Sequence, residues 1–169
     1  MRKLLTALLT LWLSACAQQP ITPAATDATR WSMDTKIAFS GPQESGSGYA
    51  HFDYTPGLLS GELSGAFGIG KSRIECNLRY CDMSTKNGDS RLWLDQGNLE
   101  LDDDVLLPIH LLPDWLLGKD AAQTQTPDWR LEVSAWQEQH GVRLPQKLRL
   151  SHKSGNTLKI FIVRWTPQK

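Results

Sequence analysis

The sequence predicts a mainly β domain with few short helices, and three observations carry that reading. Short apolar runs with period-two alternation recur between residues 35 and 165, turn residues punctuate them closely, and a single stretch has helical spacing. Hairpin-length connections between successive runs imply antiparallel neighbours, hence a meander.

Residues 35–40 (TKIAFS), 48–54 (GYAHFDY) and 58–64 (LLSGELS) are the first predicted strands, separated by Gly41-Pro42 and Pro56-Gly57. Residues 72–78 place Ile74, Cys76 and Leu78 at period two, and residues 81–85 follow. Lys86-Asn87-Gly88-Asp89 is the strongest turn signal, because Asn-Gly suits the two positive φ angles of a type I′ hairpin. Residues 90–95 and 98–101 flank Gln96-Gly97. Residues 108–118 (PIHLLPDWLLG) open on proline, space Ile109, Leu112, Trp115 and Leu116 helically and stop at glycine; Pro113 predicts a break into two short pieces. Three longer strands, 129–136, 147–152 and 158–165, close the chain, with a turn at Ser154-Gly155-Asn156. Trp129 and Trp136, seven residues apart, belong on opposite faces of a regular strand.

The first residues read as an export signal: Arg2 and Lys3 precede an apolar stretch, Leu4 to Leu13, too short to span a bilayer. Leu13-Ser14-Ala15-Cys16 resembles the lipobox of bacterial lipoproteins. That resemblance implies cleavage before Cys16 and three acyl chains on it, and the absence of Asp at Ala17 and Gln18 favours the outer membrane. Residues 17–30, rich in Ala, Thr, Gln and Pro without apolar period, form an expected tether. The expected order is signal peptide 1–15, lipidated tether 16–30 and one folded domain, 31–169. Removing residues 1–15 takes Arg2 and Lys3 from 18 basic side chains and leaves all 18 acidic ones, a net charge of about −2 with no basic excess for nucleic acid. In an exported domain Cys76 and Cys81 form the economical disulfide, since flanking positions of a hairpin loop can meet; two free thiols are the alternative.

Residues 65–72, GAFGIGKS, satisfy the phosphate-loop pattern G-x-x-x-x-G-K-[ST]. The pattern works only where a helix follows, with free N–H groups aimed at phosphate, and residues 72–78 carry strand periodicity instead. Nucleotide binding is therefore excluded as a reading. His51, His110, His140 and His152 lack metal-ligand spacing, and Asp102 to Asp104 lack the glycine and spaced oxygens of a calcium loop. Neither G-x-S-x-G nor H-E-x-x-H occurs, so no catalytic residue, metal or cofactor is expected.

Phe67 stands between Gly65-Ala66 and Gly68-Ile69-Gly70, glycines that allow a tight protruding turn. It either folds back into the core or stays exposed to meet a membrane. The order of a lipobox, KIAF, AHFDY, LSGAFGIG, LPIHLLPDWLLG, DWRLEVSAW, RLPQKLRL and LKIFIVRW resembles the LolB family of outer-membrane lipoprotein receptors. Its most specific pieces are L-P-x-x-x-L-x-x-W-x-x-G, carried by Leu107, Pro108, Leu112, Trp115 and Gly118, and the closing pattern at Leu144, Pro145, Leu148 and Trp165. The resemblance implies a strongly curved antiparallel sheet, an incomplete barrel, around an apolar cavity. It also implies acyl chains of triacylated lipoprotein cargo arriving there from a LolA-like periplasmic carrier, delivery into outer-membrane lipid, and Phe67 as the inserting residue. Such a domain acts as a monomer and breaks no bond. Phe39, Phe52, Leu63, Trp93, Trp115, Ile160 and Ile162 are the cavity candidates, and filling a dry core is their other role. Two departures stand out: no helix precedes the first strand, and only residues 102–106 precede Leu107, so the lid over the cavity is expected to be short. The competing function is a non-transport outer-membrane lipoprotein, an envelope assembly factor or scaffold on the same fold.

Overall fold

The computed structural model describes residues 29–42, 44–65, 70–102, 105–119 and 126–168. Alternation sets the strands: in β1 (Trp31–Ser40), Trp31, Met33, Thr35 and Ile37 are buried on one face while Lys36 is exposed on the other. β2 (Ser45–Thr55), β3 (Leu58–Gly65), β4 (Ser72–Cys76), β5 (Tyr80–Thr85) and β6 (Gly88–Trp93) follow as a meander. β7 (Asn98–Asp102) and β8 (Val105–Pro108) form a separate two-stranded sheet. β9 (Trp129–Gln139), β10 (Val142–His152) and β11 (Thr157–Pro167) complete the large sheet. Its order is β6-β5-β4-β3-β2-β1-β11-β10-β9, every pair antiparallel. Pairing of β1 with β11, Trp31 opposite Pro167 and Ser40 opposite Thr157, joins the two ends of the domain in mid-sheet.

The outer strands β6 and β9 do not pair with each other, so the barrel is incomplete. Curvature follows from what shares the interior. Ile74 of β4 and Trp129 of β9 line one cavity although six strand spacings separate them in the sheet. A flat sheet would hold them roughly 29 Å apart at ~4.8 Å per strand. Bulges assist the bend: the ladder skips Val163 on β11, Ser134 on β9 and Gln146 on β10. The extra residue at Ser134 also changes a sequence-based expectation. It returns Trp136 to the face that Trp129 occupies, so the two indoles are not on opposite faces. Trp136 lies so close to Gly118 that a Cβ added there would come within 2.9 Å of its ring.

A 3-10 turn, Ile109–Leu111, leads into α1 (Leu112–Leu116), with Pro113 in the first turn, where its missing N–H costs no helical hydrogen bond. The predicted break thus falls just before Pro113. Gly118, at φ +65°, ends the segment in a conformation that suits glycine. Leu112, Trp115, Leu116 and Leu117 are buried in the core with Trp31, Met33, Leu144, Leu148, Ile162 and Trp165. The predicted strand at 98–101 pairs with β8, where the sequence suggested only a short lead-in, and not within the large sheet, and this β7–β8 hairpin joins α1 in covering the concave face. Trp129 Nε1–H donates to the Leu106 carbonyl at 2.7 Å and fastens that hairpin to β9.

Cys76 and Cys81 are disulfide-bonded and directly opposed across β4 and β5. The bridge closes a short loop, with a sequence separation of 5. Loop-closure entropy for such a loop gives about 2 kcal/mol. The paired Cys76→Ser and Cys81→Ser variant is therefore expected to lose about 2 kcal/mol in urea unfolding, and an unchanged midpoint would show that the hairpin holds itself without the bond.

Candidate functional site

The concave face encloses an apolar cavity of about 340 Å³, within the roughly 300–1,000 Å³ of ligand sites. Sheet residues Ile37, Phe39, Phe52, Leu63, Ile74 and Ile160 form one wall. Leu99, Leu101 and Leu107 of the small hairpin, with Ile109 and Leu112 leading into α1, form the other. Glycine at position 61 lets the Phe52 ring and Ile74 close in over β3: a Cβ there would press to 3.2 Å from Phe52 and 3.3 Å from Ile74. The rim of Phe39, Ser64, Gly70 and Thr157 lies at the end of the sheet where Gly65 and Gly70 flank residues 66–69. Trp31, where the domain begins, lies at the opposite end, beside Tyr54 and Pro167. Among the described residues no charged side chain lines the cavity, a lining suited to excluding water from apolar matter.

Of the residues singled out from sequence, Phe39, Phe52, Leu63 and Ile160 meet at this wall. Three others do not. Trp115 is 1% exposed and packs at 6.4 Å against the Trp129 ring, so it fills core beneath the cavity. Ile162 is wholly buried two residues further along β11, in the solid core with Trp165. Trp93 is 71% exposed, because alternation turns Leu92 inward and Trp93 outward, edge-on to Tyr80. Leu99, Leu101 and Leu107 were missed as lining residues, since only the folding of the hairpin over the sheet brings them there. Cys16 and Phe67 lie outside the described residues. Ser72 opens strand β4, so no helix follows the phosphate-loop pattern.

The opposite, outer face carries an ion-pair ladder. His51 Nδ1 lies 2.6 Å from Asp34 Oδ1 and its Nε2 3.3 Å from Asp53, while Arg164 donates to Asp34 Oδ2 at 2.7 Å. The Asp34 hydrogen bond raises the His51 pKa above its ordinary 6.5 against the opposing effect of burial, and the Asp53 charge adds to the rise. Asp34 is held below its ordinary 3.8, first by the His51 hydrogen bond, against burial, and then by Arg164. A raised histidine contributes stability fully below its unfolded pKa and loses it as pH rises through the folded one. The lowered aspartate contributes above its unfolded pKa and loses it as pH falls through the folded one. Stability is thus expected to peak between these limits and to decline modestly from near pH 6.5 upward. Both side chains are a third or so exposed, which holds the decline under about 1 kcal/mol. His51→Gln should flatten it in urea midpoints measured across pH, and an identical pH profile in the variant would discount the ladder.

Among the described residues there is no group of three metal-ligating side chains and no helix long and apolar enough to cross a membrane. The family model described as outer membrane lipoprotein LolB matches residues 29–165. The chain belongs to the LolB family. The outer-membrane lipoprotein LolB of Pseudomonas aeruginosa is 24% identical over 156 residues, covering 82% of this chain and 75% of its own. That of Shewanella woodyi is 24% identical over 187 residues, covering 90% and 83%. A solved LolA superfamily protein from Nitrosomonas europaea aligns with a TM-score of 0.49 at 8% identity, over 86% of this chain and 89% of that one. The LolB family match takes in the cavity lining and the sheet from β1 to Trp165, two residues short of the end of β11.

Proposed function

We infer that this LolB-family chain is an outer-membrane-anchored lipoprotein receptor. It takes acylated lipoproteins from a LolA-like periplasmic carrier, shelters acyl chain in the concave cavity and releases it into the outer membrane. The observation that carries this reading is the cavity itself, a built apolar space with its rim at one end of the sheet. Family membership, with relatives named outer-membrane lipoproteins, supports the place and the class of cargo. In this reading residues 1–15 are the signal peptide and Cys16 carries three acyl chains at the head of the tether. At ~0.8 kcal/mol per buried methylene such an anchor is far stronger than a single chain.

The tether is long enough for delivery. The rim lies one strand length from Trp31, about 33 Å for the 10 residues of β1. The 15 residues from Cys16 to Trp31 reach about 50 Å when extended, so the rim can face the bilayer in which the anchor sits. Release runs downhill because a bilayer removes more acyl surface from water than a cavity with an open rim does. No bond is broken and no cofactor is called on.

The test is transfer of acylated cargo from the carrier to the non-acylated Cys16→Ala protein. Capture supports the receptor; a folded protein that takes no cargo would make the chain an envelope scaffold instead. Phe67 is assigned to the release step. Burying a phenylalanine contributes about 1.5–3 kcal/mol, so Phe67→Glu should leave uptake intact and slow release into liposomes by about tenfold or more. Loss of uptake would place that ring in the interior.

A further inference from the structure

Strand register gathers four cations on the outer face of the sheet. Lys147, Phe161, Lys36 and Tyr49 stand side by side across β10, β11, β1 and β2. Arg149 and Lys159 form the next row of β10 and β11, one step toward the cavity-rim end. With strands about 4.8 Å apart and alternate residues roughly 6.7 Å along each, the four positions lie within about a dozen ångströms, near one Debye length at physiological salt. All four side chains are exposed. Among the described residues none of them makes an ion pair; Lys36 stands over the Tyr49 ring at 5.8 Å. Glu132 lies opposite Arg149 on β9 without pairing with it, and Asp34, lower on the same face, is already engaged by His51 and Arg164.

Arg149 and Lys159 are like charges placed directly opposite, an arrangement that costs stability. Because the chain without residues 1–15 carries a net charge of about −2, the clustering is local and not a reflection of a basic protein. We propose that this patch docks the domain onto a membrane surface bearing anionic phospholipid headgroups, with the cavity rim at the adjoining end turned toward the bilayer. Repeated phosphates in a plane supply the missing counter-charge to cations spread over an open sheet face. Phe161 and Tyr49 stand in one row with Lys147 and Lys36, and long lysine side chains can carry their ammonium groups from such a row to the headgroups, as basic and aromatic residues do together at membrane interfaces. The lipid anchor holds this face within reach of the membrane continuously, which an encounter with an acidic protein would not. The proposal rests on the membrane location of the family and is independent of acyl-chain capture.

The experiment is flotation of the Cys16→Ala protein without residues 1–15, so that Arg2, Lys3 and the apolar run 4–13 cannot bind lipid themselves, with vesicles of phosphatidylcholine alone, or of equal parts phosphatidylcholine and phosphatidylglycerol. At low salt the anionic vesicles should be bound at least about tenfold more tightly, and physiological salt should shrink the preference. The combined Lys36→Gln, Lys147→Gln, Arg149→Gln and Lys159→Gln variant should lose most of that preference with no fall in urea midpoint. Should that variant fold poorly, Arg149→Gln with Lys159→Gln removes the like-charge pair and should still lose a measurable part. Equal binding of both vesicle types by the parent protein overturns the proposal, as does a folded variant that keeps the full preference. A variant that retains vesicle preference but no longer receives cargo from the carrier would assign the patch to an acidic protein surface, and overturns it too.

Discussion

Trp115→Ala is expected to destabilise the domain by about 3–5 kcal/mol, a large share of the roughly 5–15 kcal/mol that holds a domain of this size together. The side chain is 1% exposed, packs at 6.4 Å against Trp129 and belongs to the main core with Leu112, Leu116 and Leu117. A helix of 5 residues has no stability of its own, so α1 stays on the sheet by burial of those side chains. Pro113 at its start and Gly118 at its end leave the segment no room to re-pack by sliding. Gly118 already sits where an added Cβ would fall 2.6 Å from Pro145. Loss of the indole should therefore also loosen the helical part of the cavity's cover. Urea denaturation measures the first effect, and a fall of less than about 1 kcal/mol would mean that α1 is held by something other than this packing.

Leu63→Trp should abolish most acyl-chain binding while leaving the fold in place. Leu63 is half-buried and faces the cavity from β3. An indole there occupies space that a ligand would otherwise fill. Displacing even two methylenes of a bound chain removes about 1.6 kcal/mol, more than tenfold in affinity. A fluorescent fatty acid titrated into the Cys16→Ala protein reads the effect. Ser60→Trp, one position from Gly61 on the opposite face of β3, is the control and should bind as the parent does. If both variants bind normally, the acyl chain lies elsewhere. If Leu63→Trp alone loses binding but retains its urea midpoint, the cavity is the site.

Most of the sheet could be read directly from residue order. Period-two alternation is a local property, and it placed Thr35 to Ser40 and the β2 and β3 runs where the structure has them; the hairpin turn falls one residue earlier than Asn87-Gly88, on Lys86-Asn87, with Gly88 opening β6 opposite Thr85 and Asn87 outside the positive-φ region. Proline and glycine also act locally, so the short helical piece, its break before Pro113 and its stop at Gly118 were equally legible. The Cys76–Cys81 bond was one of two readings the sequence left open, and the pairing of β4 with β5 places the two cysteines opposite each other. The cavity wall was legible only in part. Phe39, Phe52, Leu63 and Ile160 share the concave face, but Trp115 and Ile162 look the same in sequence and sit in solid core. A buried apolar side chain carries no mark of whether its neighbour is protein or empty space.

By itself, then, the sequence determined the β class, the turn positions, the family motifs and the inward or outward sense of regular strands. Tertiary structure alone decided how far the sheet bends, which leucines of the β7–β8 hairpin close over it, and that Trp136 faces inward across a bulge. It also decided that Lys36, Lys147, Arg149 and Lys159, as many as 123 positions apart in the chain, share one surface. The reason is one of range. Turn chemistry and side-chain alternation are set by neighbours along the backbone, whereas curvature, voids and charge clusters depend on how distant strands pair.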